Sequence, residues 1–149
     1  KPIGELQPNE AMLFHNMKRG VDRIDNVRAL EAPLWSHNLR LAGRVDCVAE
    51  FDGKLSIIDF KGSTRKKNPT KITNYFCQAT AYSIMWHEMM GESIDQIVIL
   101  ISSEDGANQI FVKHPLEFVP ELKRVIDVYY KANPKHLLSD RTAGASLFE

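Results

Sequence analysis

The spacing of apolar residues predicts that the chain opens with a helix and continues into three strands. Residues 8–24 carry apolar side chains at helical intervals: Met12, Leu13, Met17, Val21 and Ile24. Residues 26–35 alternate around Leu30 and Leu34 and predict a strand that ends near Pro33. The apolar runs 39–51 and 54–61 flank Asp52-Gly53. Because both residues of that pair accept positive φ, it favours the two-residue type I′ turn of a β-hairpin.

The second half of the chain predicts a long helix, two strands and a closing helix. The helical pattern of residues 70–91 opens near Pro69 and stops at Gly91. The continuous apolar run 96–103 is typical of a buried central strand, and residues 109–114 form a shorter one. A helix over 115–132 follows. The order αβββαββα, without a repeat or a linker, predicts an α/β fold with one domain over residues 1–149.

Composition narrows the class of protein. Hydrophobic residues make up 44% of the chain and charged residues 26%, which is typical of folded globular proteins. The two cysteines, Cys47 and Cys77, form no CxxC pair, so a structural zinc site and a four-thiolate iron–sulfur cluster lack their ligands. No long apolar run and no secretory signal occur. These features predict no membrane span and a reducing intracellular compartment, such as an organelle matrix or a bacterial cytoplasm during phage infection.

The charges are unevenly distributed. Nineteen basic and nineteen acidic residues give a net charge of zero, which excludes a uniformly basic nucleic-acid coat. Residues 60–87 nevertheless contain no acid. Their five basic residues are Lys61, Arg65, Lys66, Lys67 and Lys71. The next segment, 88–114, has five acids and one lysine. A local basic surface is therefore compatible with the zero balance.

The predicted hairpin places two carboxylates together. With a turn at Asp52-Gly53, residues whose numbers sum to 105 face each other, so Asp46 lies opposite Asp59, and Arg44 opposite Lys61. Asp46, Asp59 and Lys61 then share one face. The other face is an apolar core face, predicted to carry Val45, Cys47, Ala49, Phe51, Ile58 and Phe60.

Two opposed carboxylates require a compensating cation, since like charges at this distance destabilise a hairpin. Lys61 supplies one charge, and a divalent metal would supply two, with Mg²⁺ or Mn²⁺ as the ions that prefer carboxylate oxygen. The alternative interpretation is a surface hairpin with a simple Asp–Lys ion pair, because Asp-x-Lys alone is common.

Three motifs in order resemble the PD-(D/E)XK nuclease superfamily: residues 43–46 (GRVD), residues 57–61 (IIDFK) and residues 78–82 (QATAY). Within it, the chain is similar to RecB-like exonucleases, which include phage and mitochondrial enzymes. The resemblance covers residues 27–130. It implies a restriction-endonuclease-like core, in which a central mixed β-sheet is flanked by helices.

The resemblance also implies a role for each motif residue. Asp46 and Asp59 would bind Mg²⁺ or Mn²⁺, with the Phe60 carbonyl as a further ligand. Lys61 would orient or activate the attacking water and stabilise charge on the phosphate. Gln78 and Tyr82, four residues apart on one helix face, would order the metal site and the nucleic-acid end.

Contacts to DNA are predicted for the basic stretch and its neighbours. Arg65, Lys66, Lys67 and Lys71 would contact phosphates, and Tyr75 would stack on an unpaired base. Phe76, Trp35 and Trp86 are further stacking candidates, although a core position is the commoner place for Trp86. Glu31, on the strand before the hairpin, would either approach the metal through a water or face solvent.

Two departures from the family pattern leave alternatives open. The lysine is followed by Gly62, where the family usually has threonine, and no upstream Gly-x-x-x-His helix is found; His15 lacks that context. We therefore expect that an upstream part precedes Lys1. The predicted function is metal-dependent DNA exonuclease activity at single-stranded or frayed ends. The alternatives are an inactive nucleic-acid-binding module of the same fold and a structure-selective or restriction-like endonuclease.

Overall fold

A computed structural model describes residues 18–63, 69–104 and 108–135. Within them the elements follow one another in this order: α1 (Lys18–Val21), β1 (Ile24–Ser36), β2 (Leu41–Phe51), β3 (Lys54–Ser63), α2 (Pro69–Met90), β4 (Gln96–Ser103), β5 (Gln109–Lys113), a 3₁₀ turn (Pro115–Phe118) and α3 (Val119–Ala132). The predicted order αβββαββα is confirmed. None of the helices in these described ranges is long and apolar enough to cross a membrane.

The five strands form one mixed sheet in the order β1-β2-β3-β4-β5. Neighbouring strands are antiparallel except β3 and β4, which run parallel. Two parallel strands need a crossover connection, and α2 supplies it. The sheet is buried on both faces at its centre, where all eight residues of β4 are buried. This explains the unbroken apolar run of that strand.

Two apolar clusters cover the two faces of the sheet. The helix-side cluster packs α2 and α3 against Val48, Ile57 and Ile99. The opposite cluster contains Cys47, Phe51, Ile58 and Leu100, with Val21 and Ile24 packed against it. β3 alternates between the two, so Ile57 faces the helices and Ile58 faces away. By the same alternation, Asp59 and Lys61 lie on the helix side.

The predicted first helix differs from the structure at its end. Residues 8–17 lie outside the described residues, α1 ends at Val21, and Ile24 begins β1 instead of completing a helical stripe. Ile24 pairs with Phe51 and packs in the opposite cluster. The pairing of Ile24 with Phe51 therefore places this residue in a strand, although its spacing from Val21 is compatible with a helix. The closing helix likewise begins as a 3₁₀ turn and becomes α-helical at Val119.

The hairpin turn and the first five pairs of its register are as predicted, whereas the predicted pairs Asp46–Asp59 and Arg44–Lys61 do not form, and Arg44 pairs with Pro33 of β1 instead. Asp52 and Gly53 have φ of 54° and 80°, as a type I′ turn requires. The β2–β3 pairs run from Phe51↔Lys54 to Cys47↔Ile58, and each pair sums to 105. The pairing stops there. Beyond it, β2 stays with β1 as far as Leu41, and β3 stays with β4 as far as Ser63. We call this divergence, immediately after Cys47 and Ile58, the open end of the hairpin.

The face predicted for Val45 is wrong. Val45 packs in the helix-side cluster with Val48, not beside Cys47. β1 changes face at the same level, because Leu30 packs against the opposite cluster and Ala32 against the helix-side one. Between them Glu31 has a φ of 47°. This left-handed residue rotates the paired strands, and the strict alternation assumed from sequence fails there.

Candidate active site

The open end brings Asp46 against the backbone of β3. Asp46 would be the next residue to pair after Cys47, but the ladder has ended. Its carboxylate instead accepts a hydrogen bond from the Phe60 backbone N–H, with a distance of 2.9 Å from N to Oδ2. A side chain thus replaces a backbone acceptor where the strands separate. This hydrogen bond fixes the first acid relative to the strand that carries the second.

Asp59 is buried, with 5% of its surface exposed. Its Oδ2 lies 3.1 Å from Lys61 Nζ, which is ion-pair distance, yet among the described residues that oxygen accepts no well-aligned hydrogen bond. Burial raises the pKa of the Asp59 carboxyl well above its usual value. Asp46 adds to this rise through a hydrogen bond and through its charge, and Lys61 opposes it. The charged form of Asp59 is therefore disfavoured, and Lys61 offsets only part of this effect.

Helix α2 holds Lys61 from the other side. Lys61 Nζ donates to Gln78 Oε1 at 3.3 Å, and Gln78 Nε2 donates to the Tyr82 hydroxyl oxygen at 3.2 Å. The Lys61 ammonium also lies 4.7 Å from the centre of the Tyr75 ring. Gln78 and Tyr82 share a helix face because they are four residues apart. The ammonium is thus positioned by a carboxylate, an amide and an aromatic face.

Gly43 allows α2 to approach the sheet closely. A Cβ at this position would lie 2.7 Å from Tyr82 Cε1 and 2.9 Å from the Tyr82 hydroxyl oxygen. Burial, followed by the charge of Asp59, raises the pKa of that hydroxyl to about 12, and a backbone hydrogen bond with Arg44 opposes the rise. From the sequence, Gly43 was identified only as the first residue of the GRVD motif. A glycine inside a predicted strand often marks a close approach of another element, and this could have indicated the contact with Tyr82.

The donor set fits a hard divalent cation. Asp46 and Asp59 converge, one oxygen of the buried acid lacks a hydrogen bond, and both partners are carboxylates, the ligands that Mg²⁺ and Mn²⁺ prefer. Across residues 18–63, 69–104 and 108–135, no group of three His, Cys, Asp or Glu side chains could hold a metal. A further protein ligand from the described part of the chain would therefore be a group other than a His, Cys, Asp or Glu side chain.

The other predicted contact residues are scattered. Lys71 is exposed on the first turn of α2, whereas Arg65, Lys66 and Lys67 lie outside the described residues. Phe76 is buried and stacks on Phe118, with the ring centres 4.9 Å apart.

Trp86 is 4% exposed, and its indole N–H donates to Glu92. The base stacking predicted for Phe76 is therefore wrong, whereas the core position expected for Trp86 is confirmed. Trp35, in contrast, is 49% exposed. Glu31 is exposed too, and no metal-binding group in the described part of the chain includes it.

A five-stranded mixed sheet with a crossover helix, and an Asp–Asp–Lys group where two strands diverge, define a nuclease-like α/β core. The model of the PD-(D/E)XK nuclease superfamily matches residues 8–135, which is most of the chain. The protein therefore belongs to that superfamily.

Similar proteins include mitochondrial genome maintenance exonuclease 1 from two mammals. The chain is 38% identical to the Homo sapiens protein over 60 residues, which is 35% of this chain and 17% of that protein. It is also 38% identical to the Mus musculus protein over 80 residues, which is 48% of this chain and 23% of that protein. The matches thus span less than a quarter of the length of these relatives.

Proposed function

We propose that this protein is a metal-dependent DNA exonuclease that hydrolyses phosphodiester bonds at single-stranded or frayed ends. Membership of the PD-(D/E)XK superfamily supports nuclease chemistry, and the similar mammalian proteins are named exonucleases. The observation that carries the proposal is the convergence of Asp46, Asp59 and Lys61 where β2 leaves β3.

In this proposal Asp46 and Asp59 hold Mg²⁺ or Mn²⁺, and the Phe60 carbonyl is a further ligand. When bound, such an ion lowers the pKa of a coordinated water and neutralises charge on the phosphate. Asp59 supplies an oxygen that no protein group satisfies by hydrogen bonding within the described residues. Asp46 keeps its position through the hydrogen bond from the Phe60 N–H.

Lys61 orients the attacking water and stabilises the negative charge that develops on the phosphate oxygens. A positioned cation is effective there because it does not have to reorganise during the reaction. Gln78 and Tyr75 hold the ammonium in place, and Tyr82 anchors Gln78. In this proposal Gln78 and Tyr82 therefore act as residues that position Lys61. Tyr75 combines this supporting role with its proposed contact to DNA.

The basic segment after Lys61 contacts the DNA backbone in this proposal. Lys71 is exposed on the first turn of α2, four residues before Tyr75, and Arg65, Lys66 and Lys67 belong to the same stretch of sequence. Each phosphate contact releases a counterion, so binding should weaken as salt concentration rises.

A reducing compartment is the proposed location. Cys47 and Cys77 are both free and buried, and they belong to clusters on opposite faces of the sheet. Burial raises the pKa of the Cys47 thiol to about 12 and that of Cys77 to about 11. Both therefore stay protonated and unreactive at neutral pH.

Digestion of end-labelled single-stranded DNA tests the proposal. The protein should degrade the linear strand with Mn²⁺ or Mg²⁺, fail with EDTA, and lose activity in the Lys61→Ala variant. A circular single strand should stay intact, because an exonuclease needs an end. Cleavage of the circle would instead indicate an endonuclease. Absence of cleavage with every metal would contradict the proposed catalysis.

A nucleic-acid-binding module without cleavage is the second candidate. It is favoured by the absence, among the described residues, of any third acidic or histidine side chain near Asp46 and Asp59 that could hold a metal. Gly62, where the family usually has threonine, points the same way. Tight binding of a labelled oligonucleotide without cleavage in Mn²⁺ would select this candidate.

A further inference from the structure

The strands β1 and β2 continue beyond the open end as a two-stranded ribbon, formed by residues 32–36 and 41–45. Its two faces differ completely in exposure. The side chains toward α2 are buried, and those on the other side, which we call the outer face, are exposed. The buried set is Leu34, Ser36, Leu41 and Val45, and the exposed set is Pro33, Trp35, Ala42 and Arg44.

The outer face presents a tryptophan beside an arginine. Trp35 is opposite Ala42, and Arg44 is opposite Pro33. Trp35 and Arg44 are therefore diagonal neighbours on one face, within reach of each other for long side chains. Trp35 is 49% exposed, whereas the other tryptophan, Trp86, is 4% exposed. A large aromatic surface that the fold could have buried is thus left in water.

The backbone under both residues is held in place. The Arg44 backbone hydrogen-bonds to the Tyr82 hydroxyl, and the Trp35 N–H donates to Met89 Sδ at 3.4 Å. Tyr82 and Met89 both lie on α2. The outer face is therefore a platform whose backbone is tied to α2, the helix that also contributes residues to the site.

The outer face comes within two residues of Asp46, on the side of the sheet away from Asp59 and Lys61. Arg44 is two residues from Asp46, which is about 7 Å along a strand, and Ala42, opposite Trp35, is four residues away, about 13 Å. A short stretch of an extended strand covers that distance. A single strand laid along β2 toward Asp46 would therefore pass Trp35 first and Arg44 next.

Arg44 is the cation that the outer face offers to a phosphate. The Arg44 guanidinium forms no ion pair with any acid in the part of the chain that the structure describes, whereas Arg23, Arg28 and Arg124 all do. Guanidinium groups bind phosphate oxygens in a bidentate manner. The register places Glu31 level with Asp46 and diagonal to Arg44, so both acids lie on the Asp46 side of Arg44 and not beside Trp35.

We propose that the outer face of the ribbon binds the single-stranded DNA next to the bond to be cleaved, with Trp35 stacking on an unpaired base and Arg44 contacting a phosphate. An aromatic platform next to a cation is the arrangement that holds single strands without sequence preference. The inference rests on the proposed nuclease function and deepens it, because it assigns the substrate strand a direction away from Asp46.

Fluorescence titration in EDTA tests this inference without cleavage. Only Trp35 of the two tryptophans is exposed, so adding oligo(dT) should quench the intrinsic emission through stacking on that ring. Trp35→Leu should remove the quenching and weaken binding of a labelled oligo(dT) roughly tenfold, the order that base–aromatic stacking contributes. Trp35→Phe should keep most of the affinity. Val27→Ser, at an exposed position on the other end of β1, is the matched control and should change nothing.

Two further binding measurements distinguish the contribution of base stacking by Trp35 from that of the Arg44 charge. Arg44→Gln should lower the slope of log K against log salt by about one, whereas Lys123→Gln, which removes an exposed charge on α3, should leave it unchanged. Replacing the oligonucleotide with an abasic strand of the same length should cancel the effect of Trp35→Leu but keep that of Arg44→Gln.

An unquenched Trp35, or an affinity that Trp35→Leu does not change, would overturn the inference. So would a concentration-dependent dimer that Trp35→Leu dissolves, since the outer face would then bind a second copy of this chain. Failure of the proposed catalysis has a different signature: Trp35-dependent binding would persist while Mn²⁺ produced no cleavage. Cleavage without Trp35-dependent binding would keep the nuclease and reject the platform.

Discussion

The two ends of the β2–β3 hairpin carry aspartates in opposite situations. At the closed end, Asp52 is exposed and forms an ion pair with Arg23, which lowers the pKa of its carboxyl. At the open end, Asp59 is buried and the pKa of its carboxyl is raised. The backbone differs as well, since pairs continue up to the turn and stop before Asp46.

Asp52 therefore stabilises the folded state, whereas the charged form of Asp59 destabilises it. Asp52 has a partner and a left-handed conformation that the turn requires. Asp59 is buried beside a second acid, an arrangement that weakens folding unless another cation is present. Residues that lower the stability of the fold without an evident compensating contact are expected at functional sites. The comparison therefore supports the proposal that the open end serves chemistry, while Asp52 at the closed end serves the fold.

The largest effect should come from removing one acid at each end. Asp59→Asn keeps the shape but removes the charge that would hold the metal, so DNA cleavage in Mg²⁺ should fall at least about 100-fold. Asp52→Asn should leave the rate unchanged. The rates on end-labelled single-stranded DNA measure both. Equal losses in the two variants would mean that the open end has no special role.

Glycines at the open end provide a second comparison. Gly43→Ala places a Cβ against the buried Tyr82 ring and should lower the free energy of unfolding by about 1–3 kcal/mol. Gly62→Ala meets no heavy atom within 4 Å and should stay within about 0.5 kcal/mol of the parent. Urea denaturation measures both values. A neutral Gly43→Ala would show that the close approach of α2 is not required.

Stability should respond to the two aspartates with opposite sign. In EDTA, Asp59→Asn should raise the free energy of unfolding by about 1 kcal/mol, because it removes a buried charge beside Asp46. Asp52→Asn should lower it slightly, because it removes the exposed ion pair with Arg23. Adding Mn²⁺ should raise the melting temperature of the parent protein but not that of Asp59→Asn. Thermal unfolding in EDTA and in Mn²⁺ measures these changes. A lower free energy of unfolding for Asp59→Asn in EDTA would contradict the proposed role of the open end.

The smallest effect concerns a cation over an aromatic ring, which occurs at both ends. Lys61 lies over Tyr75, and Arg23 lies 4.5 Å from the centre of the Phe51 ring. Tyr75→Leu should lower the turnover number several-fold, and Tyr75→Phe should restore most of it, since the ring face attracts the ammonium. Arg23→Gln should affect stability alone. Equal activity of the leucine and phenylalanine variants would remove Tyr75 from the positioning of Lys61.

Much of the fold was readable in the sequence because local signals agreed with the tertiary structure. The Asp52-Gly53 turn fixed the register of β2 and β3, and the apolar run of β4 matched its burial. The prediction failed at Val45 and Ile24. Both depend on pairing with a distant strand, and a positive φ at Glu31 has no signature in the residue type.

The sequence predicted which motif residues would lie close together, but not the geometry in which they meet. The register placed Asp46 opposite Asp59, but the sequence could not show that the strands diverge there and that the Asp46 carboxylate accepts the Phe60 N–H. Helical spacing aligned Gln78 with Tyr82, yet their contact with Lys61 and Gly43 depends on how α2 crosses the sheet. Exposure distinguished Trp35 from Trp86, and composition could not.

The central claim is that the open end of the hairpin binds a divalent metal through its two acids. Anomalous diffraction from a crystal soaked in Mn²⁺ tests it most directly. The account predicts a manganese peak bound jointly by the carboxylates of Asp46 and Asp59, and no such peak in the Asp59→Asn variant. A peak at Asp52 or elsewhere, or an open end without manganese at saturating concentration, would contradict it.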